Sequence, residues 1–197
     1  IMTSIVFMHQ RPFQKSFNSL QIYDPSLWYN QGEAIRNIEN SLSQQQFCHM
    51  FITSSSKSEN QCPYHYEKIE ELNQALNRYP NIHHQYKSYE NESHNSMYLH
   101  SFLDGMSMLY RSYELKKGGW KTNIKASTIE EHYKQFSKTI QFEFTPPINL
   151  YLEVGEINFR QNKYQDCIDV LETYLSKNSK DSYALELIGD AYSIIGK

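Results

Sequence analysis

Three short strand-like runs alternate with helix-period segments over the first 113 residues, and this alternation constrains the fold more than any other feature. Phe17 to Tyr23 reads as a strand that ends at Asp24-Pro25, where proline stops the ladder. Phe47 to Thr53 and His84 to Tyr89 read as the second and third strands. Between them, Glu33 to Leu42 places Ala34, Ile35, Ile38 and Leu42 at helical spacing. Tyr64 to Tyr79 does the same with Tyr66, Ile69, Leu72, Ala75 and Leu76, and Pro80 ends it. Met97 to Tyr113 reads as a third helix, and residues 1 to 10 as the tail of an apolar one. The strands recur about every 30 residues, the length of a strand–helix–strand unit. The expected class is therefore α/β, with parallel strands joined by right-handed helical crossovers. Three strands are few for such a sheet, so this is expected to be part of a larger one.

Past Gly118-Gly119-Trp120 the pattern becomes all-helical. Ser127-Thr128-Ile129-Glu130 has the form of a capping box opening a helix that runs to about Lys138. Pro146-Pro147 breaks the chain. Gly155 and Gly189 then stand 34 residues apart, the tetratricopeptide period. Tyr151, Val154 and Gly155 fit its first helix, Cys167, Leu171 and Tyr174 its second, and Leu187, Ile188, Gly189 and Tyr192 begin the next repeat. A short turn is expected near Gln161-Asn162-Lys163, with Gly155 where the second helix passes closest. One and a half repeats cannot bury a solenoid core alone, so either further repeats follow or the pair docks on the preceding helix. An ordinary helical hairpin is the alternative. The divisions are residues 1–118, a linker helix in 119–147, and a truncated repeat region in 148–197.

Charge and composition exclude several classes. The net charge of −3, with Lys and Arg scattered among acids, gives no electrostatic basis for binding nucleic acid. No apolar run approaches the roughly 18 residues of a membrane span. Cys48, Cys62 and Cys167 are odd in number and lack metal-ligand spacing, which marks them as ordinary thiols. No metal and no cofactor is implied.

Chemistry is expected at the C-terminal ends of the strands, where open α/β sheets place their ligands. Two segments lie there. Tyr23-Asp24-Pro25-Ser26-Leu27-Trp28-Tyr29-Asn30 follows the first strand. Glu92-Ser93-His94-Asn95-Ser96, running on to Ser101 and Asp104-Gly105, follows the third. Together they resemble the second half of the esterase D-like branch of the α/β-hydrolases, which includes siderophore esterases. The closing motif of that branch is roughly Glu-x-His-x-Ser followed by Ser-x-x-x-Gly. The resemblance covers residues 1 to about 115 and extends to the linker helix and repeats, an arrangement seen in some bacterial members.

The resemblance implies a carboxylic-ester hydrolase with a serine nucleophile in a Gly-His-Ser-x-Gly-Gly elbow. No such motif occurs in these 197 residues, so the chain is expected to begin just after it and to be inactive alone. A serine nucleophile needs a general base, and the base needs a carboxylate to hold its tautomer. Chain order in α/β-hydrolases is Ser, acid, His. His94 takes the position of the base; the rival histidines His83, His84 and His100 fall inside a strand or on a helix face. The acid is expected in the loop at 54–62, where Glu59 is the one carboxylate. Asp24, at the end of the first strand, is the alternative, and a residue capping the following turn is its plainer role. Trp28 and Tyr29 stand where the family has an aromatic pair near the pocket mouth; with Asp24 they are the candidate substrate-binding residues, and core packing is the competing role. Tyr29 departs from the family, where a second Trp is common, and the 54–62 loop lacks its usual Gly. Ser93 and Ser96 read as local hydrogen-bonding residues.

The substrate implied is a small-molecule ester, and the repeats imply a protein partner. The resemblance also implies a secreted or periplasmic setting. A second reading, from a different class, is a non-catalytic interaction protein that keeps the hydrolase-like layer as a scaffold.

Overall fold

A computed structural model of the chain describes residues 19–42, 48–56, 64–116 and 124–196. The expected helix at residues 1–10 and the candidate acid Glu59 lie outside the described residues. The chain divides into two compact units, Ile1–Arg111 and Ser112–Lys197. Among the described residues it is a mixed α/β protein with three strands and seven helices.

In the first unit β1 (Ser19–Tyr23), β2 (Cys48–Ser54) and β3 (Ile82–Ser88) form one parallel sheet with β2 in the centre. The register sets Ile22 beside Ile52 and Ile52 beside Tyr86; one residue on, Tyr23 is beside Thr53 and Thr53 beside Lys87. Successive side chains of a strand point to opposite faces, and the two faces differ. Ile22, Met50, Ile52 and Ile82 form one core with Leu27, with Ile35 and Ile38 of α1 (Glu33–Leu42), and with Ile69, Leu72 and Leu76 of α2 (His65–Leu76). Each such side chain, fully buried, contributes about 1.5–3 kcal/mol. The opposite face receives α3 (Met97–Tyr110). Its buried stripe is Met97, Ser101 and Gly105, and the small Ser101 and Gly105 let the helix lie close to the strands. Ser101 Oγ donates to Thr53 Oγ1 at 3.0 Å, and a Cβ on Gly105 would come within 2.6 Å of the Gln21 side chain. The Ser-x-x-x-Gly spacing therefore has a packing cause.

Some element ends differ from the sequence expectation. β3 starts at Ile82, two residues before His84, because Ile82 already pairs with Cys48. α2 stops at Leu76, and Asn77, Arg78 and Tyr79 close a tighter turn onto Gln74, Ala75 and Leu76 before Pro80. α3 ends at Tyr110, three residues short of Tyr113.

The second unit is helical: α4 (Ala126–Ile140), α5 (Ile148–Arg160), α6 (Tyr164–Lys177) and α7 (Ser182–Ile195). The expected capping box is not formed. The helix already begins at Ala126 and its N-cap, Lys125, has no side-chain cap bond, so Ser127 lies inside the first turn. α5 and α6 are joined by Gln161, Asn162 and Lys163, where the turn was expected. Gly155 sits in α5, and a Cβ there would lie 2.4 Å from Leu171 Cδ2, so only glycine permits this approach. Tyr151, Val154, Cys167, Leu171, Tyr174, Ile188 and Ala191 build the core. Burial pushes the Cys167 thiol up to about 11, which leaves it inert. The 34-residue spacing recurs in the backbone: Asn162 and Gly196 are both left-handed, at φ 59° and 74°. No described helix is long and apolar enough to cross a membrane.

Candidate functional site

The C-terminal ends of the three strands gather a polar cluster around Asp24. The residue leaves β1 with φ at +43°, a left-handed conformation uncommon for a side chain with a Cβ, and is 1% exposed. The proline that follows disfavours a right-handed helical backbone at this position. Five hydrogen bonds hold it there. Its backbone N–H donates to Thr53 O at 2.8 Å. Its Oδ1 accepts from Ser55 N at 3.1 Å and from His65 Nε2 at 2.8 Å. Its Oδ2 accepts from Ser55 Oγ at 2.7 Å and from His94 Nδ1 at 2.8 Å. Burial pushes the Asp24 carboxyl up, but the bonds from His65, His94 and Ser55 outweigh it and hold the group well below the usual carboxylate range. Asp24 is thus an anion out of contact with water, stabilised by four donors.

His94 lies in the loop between β3 and α3. That loop is tied to the end of β2: Tyr89 N donates to Ser54 O at 2.9 Å, and Ser56 N to Glu92 O at 2.8 Å. Ser93 and Ser96 exchange backbone-to-hydroxyl bonds of 2.9 and 3.2 Å on either side of His94, the local role expected of them. In the neutral imidazole with Nδ1 donating to Asp24, Nε2 carries the lone pair. It accepts from the Tyr98 hydroxyl at 3.1 Å, one helical turn along in α3, and the two rings meet edge to face. Asp24, His94 and a hydroxyl therefore form one continuous chain of hydrogen bonds.

His65 opens α2 and is the member of the cluster that the sequence reading passed over. It is 2% exposed, and its Nδ1 has no hydrogen-bond partner. A signal was present: positions 65, 69, 72 and 76 share one helical face, and the other three are core residues. Trp28 and Tyr29 follow Asp24 by four and five residues and are 40% and 61% exposed. Leu27 beside them is fully buried, so Leu27 rather than the aromatic pair fills the core at this end of the sheet. Their backbone runs into a turn, Tyr29–Gly32, left-handed at Asn30, Gln31 and Gly32. Asp104 serves packing: it pairs with Lys87 and accepts from Tyr89 at 2.6 Å, tying α3 to β3. His100 pairs with Glu92 at 3.1 Å, away from Asp24. Among the described residues no group of His, Cys, Asp or Glu is arranged to hold a metal ion.

No family model matches the chain, and no curated protein matches it. Two solved structures share its fold. One, described as an IroE-like serine hydrolase from Shewanella oneidensis, is 14% identical, with a TM-score of 0.68 over 88% of this chain and 55% of its own. The other, an uncharacterised protein from Capnocytophaga ochracea, is also 14% identical, with a TM-score of 0.57 over 96% of this chain and 59% of its own. The chain thus spans a little over half the length of either structure.

Proposed function

We propose that this chain carries the base and the acid of a serine carboxylic-ester hydrolase related to the siderophore esterases. The observation that carries the reading is the bond from His94 Nδ1 to the buried Asp24 carboxylate, with Nε2 already turned to a hydroxyl. In such an enzyme Nε2 takes the proton of the serine hydroxyl as it attacks the ester carbonyl. It then returns the proton to the departing alcohol. Asp24 fixes the tautomer that leaves Nε2 free and stabilises the imidazolium formed in between. The acid is therefore Asp24 in this reading, in preference to Glu59. Tyr98 holds the place of the nucleophile and yields it. Trp28 and Tyr29, exposed beside Asp24, receive the acyl or aryl part of the ester. The serine and the oxyanion donors are supplied from outside these 197 residues. In the second unit, the 34-residue spacing and the fit of Leu171 onto Gly155 support tetratricopeptide-like repeats, which would hold a protein partner.

The test is an assay with a p-nitrophenyl ester. The 197-residue chain alone is expected to give no turnover above buffer. The chain extended by the coding sequence that precedes it is expected to contain the elbow and to turn over. Serine-dependent turnover by the bare chain would show the nucleophile to be misplaced. An extended protein without an elbow, inactive but still binding a partner through its helices, would favour the non-catalytic scaffold.

A further inference from the structure

His65 makes a demand that simple packing does not explain. It stands on the apolar face of α2 among residues that fill a hydrophobic core, where a leucine or phenylalanine would leave no polar atom unmatched. Instead the ring brings Nδ1 into a buried place with no partner. Leaving such an atom unsatisfied carries a real cost, so the other nitrogen must contribute something that offsets it. That nitrogen, Nε2, lies 2.8 Å from Asp24 Oδ1.

The geometry around the carboxylate shows what this bond does. Each oxygen has two donors: Ser55 N and His65 Nε2 on Oδ1, Ser55 Oγ and His94 Nδ1 on Oδ2. The Ser55 backbone and hydroxyl grip both oxygens from one residue. The histidines hold them from two other elements, the start of α2 and the loop after β3. Without His65, Oδ1 keeps one donor, and the carboxylate can turn about its terminal torsion, which is broad and roughly two-fold. Oδ2 would then lose its aim at His94. The left-handed backbone of Asp24 adds to the need, because a strained residue persists only where its surroundings over-determine it.

We propose that His65 is a positioning residue for the hydrolase centre: donating from Nε2, it locks the Asp24 carboxylate, and through it the Nδ1–H tautomer of His94. The inference rests on the reading of Asp24 and His94 given above. It assigns His65 no contact with substrate.

Two substitutions separate the donor from the ring. Gln can place an amide N–H where Nε2 stands, so His65→Gln keeps the bond, while His65→Leu removes it and fills the space. The primary measurement is the ring-nitrogen NMR spectrum of the 197-residue chain, which reports the tautomer of each histidine directly. Expected in the wild type are a proton on Nε2 of His65 and on Nδ1 of His94. His65→Gln should preserve the His94 tautomer, and His65→Leu should convert it to a mixture. In the extended protein His65→Leu should lower kcat about ten- to a hundredfold with KM held within about twofold, and His65→Gln should restore most of the loss. An unchanged His94 spectrum in folded His65→Leu overturns the proposal. If that variant does not fold, the wild-type spectrum decides, because a His65 ring that carries its proton on Nδ1 and none on Nε2 cannot donate to Asp24. The underlying reading fails in a different way: His94 in the wild type would lack the Nδ1–H tautomer, and Asp24→Ala would leave its ring signals in place.

Discussion

The two units of this chain handle buried polar groups in opposite ways. In the first, Asp24, Thr53, Ser54, Ser55, Ser56 and His65 are all buried at or beside the C-terminal edge of the sheet. In the second, among the described residues, Asn158 alone is a buried polar residue, and it donates to Ile124 O at 2.9 Å. Backbone conformation divides the same way. The left-handed residues of the helical unit, Gln141, Asn162 and Gly196, end helices, where such a turn is ordinary. Those of the sheet unit, Asp24, Asn30, Gln31 and Gly32, lie in the connection that leaves β1. The difference teaches where each unit places its constraints. The helical unit uses regular backbone and apolar contact. The sheet unit holds left-handed backbone and desolvated charge at one edge, under the hydrogen bonds that fix Asp24.

The largest test of this contrast is catalytic. In the extended protein, His94→Ala is expected to lower kcat on the order of 10³-fold or more. The same change in the 197-residue chain should cost less stability than Asp24→Ala, since the His94 side chain is 37% exposed and water can take over its bond to Asp24. A large loss of stability with full activity would reverse the assignment.

Asp24→Ala is next. It deprives buried His65 of its acceptor, and urea unfolding should show a loss of about 3 kcal/mol or more. If the loss is only a few tenths, the cluster is not a structural unit. The same carboxylate fixes a pH dependence. Its value in the folded protein is lowered, so its contribution is whole above the unfolded carboxylate range, about pH 4. That contribution is lost as pH falls through the folded value. Acid unfolding curves should therefore be steeper below about pH 4 for the wild type than for Asp24→Asn. Equal slopes would mean that Asp24 is not the linked group.

The smallest effects test the helical unit. Gly155→Ala drives a methyl into Leu171, which is itself buried, and should cost about 1–3 kcal/mol. Gly189, 34 residues on, has nothing within 4 Å of a built Cβ. Gly189→Ala should stabilise its helix by up to about 1 kcal/mol. Thermal melts of the two variants should shift in opposite directions. Matching shifts would remove the distinction between the two ends of the period.

Much of this was legible in the chain itself. Alternating periods gave three strands in one parallel sheet, and the close approach at Gly155 followed from its place in the 34-residue pattern. The loop bearing His94 was found at the sheet edge because a strand-like run precedes it and a helix follows. These are local properties, set by side-chain spacing and backbone preference within ten or twenty residues. The partners of His94 were harder to read. Glu59, the one carboxylate in the loop after the second strand, was the expected acid and lies outside the described residues; Asp24 was the alternative. Asp24 and His65 meet because parallel pairing brings Tyr23 beside Thr53, so that Ser55 and the first turn of α2 fall next to the residue after β1. A hydrogen bond of 2.8 Å between residues 41 or 70 positions apart depends on strand order, register and helix placement together. No segment of sequence holds those three facts. The sequence by itself determined which elements form and which loop carries the histidine; the tertiary structure alone decided that the Asp24 carboxylate reaches it, and that a second histidine donates to the same carboxylate, because those contacts depend on strand order, register and helix placement together.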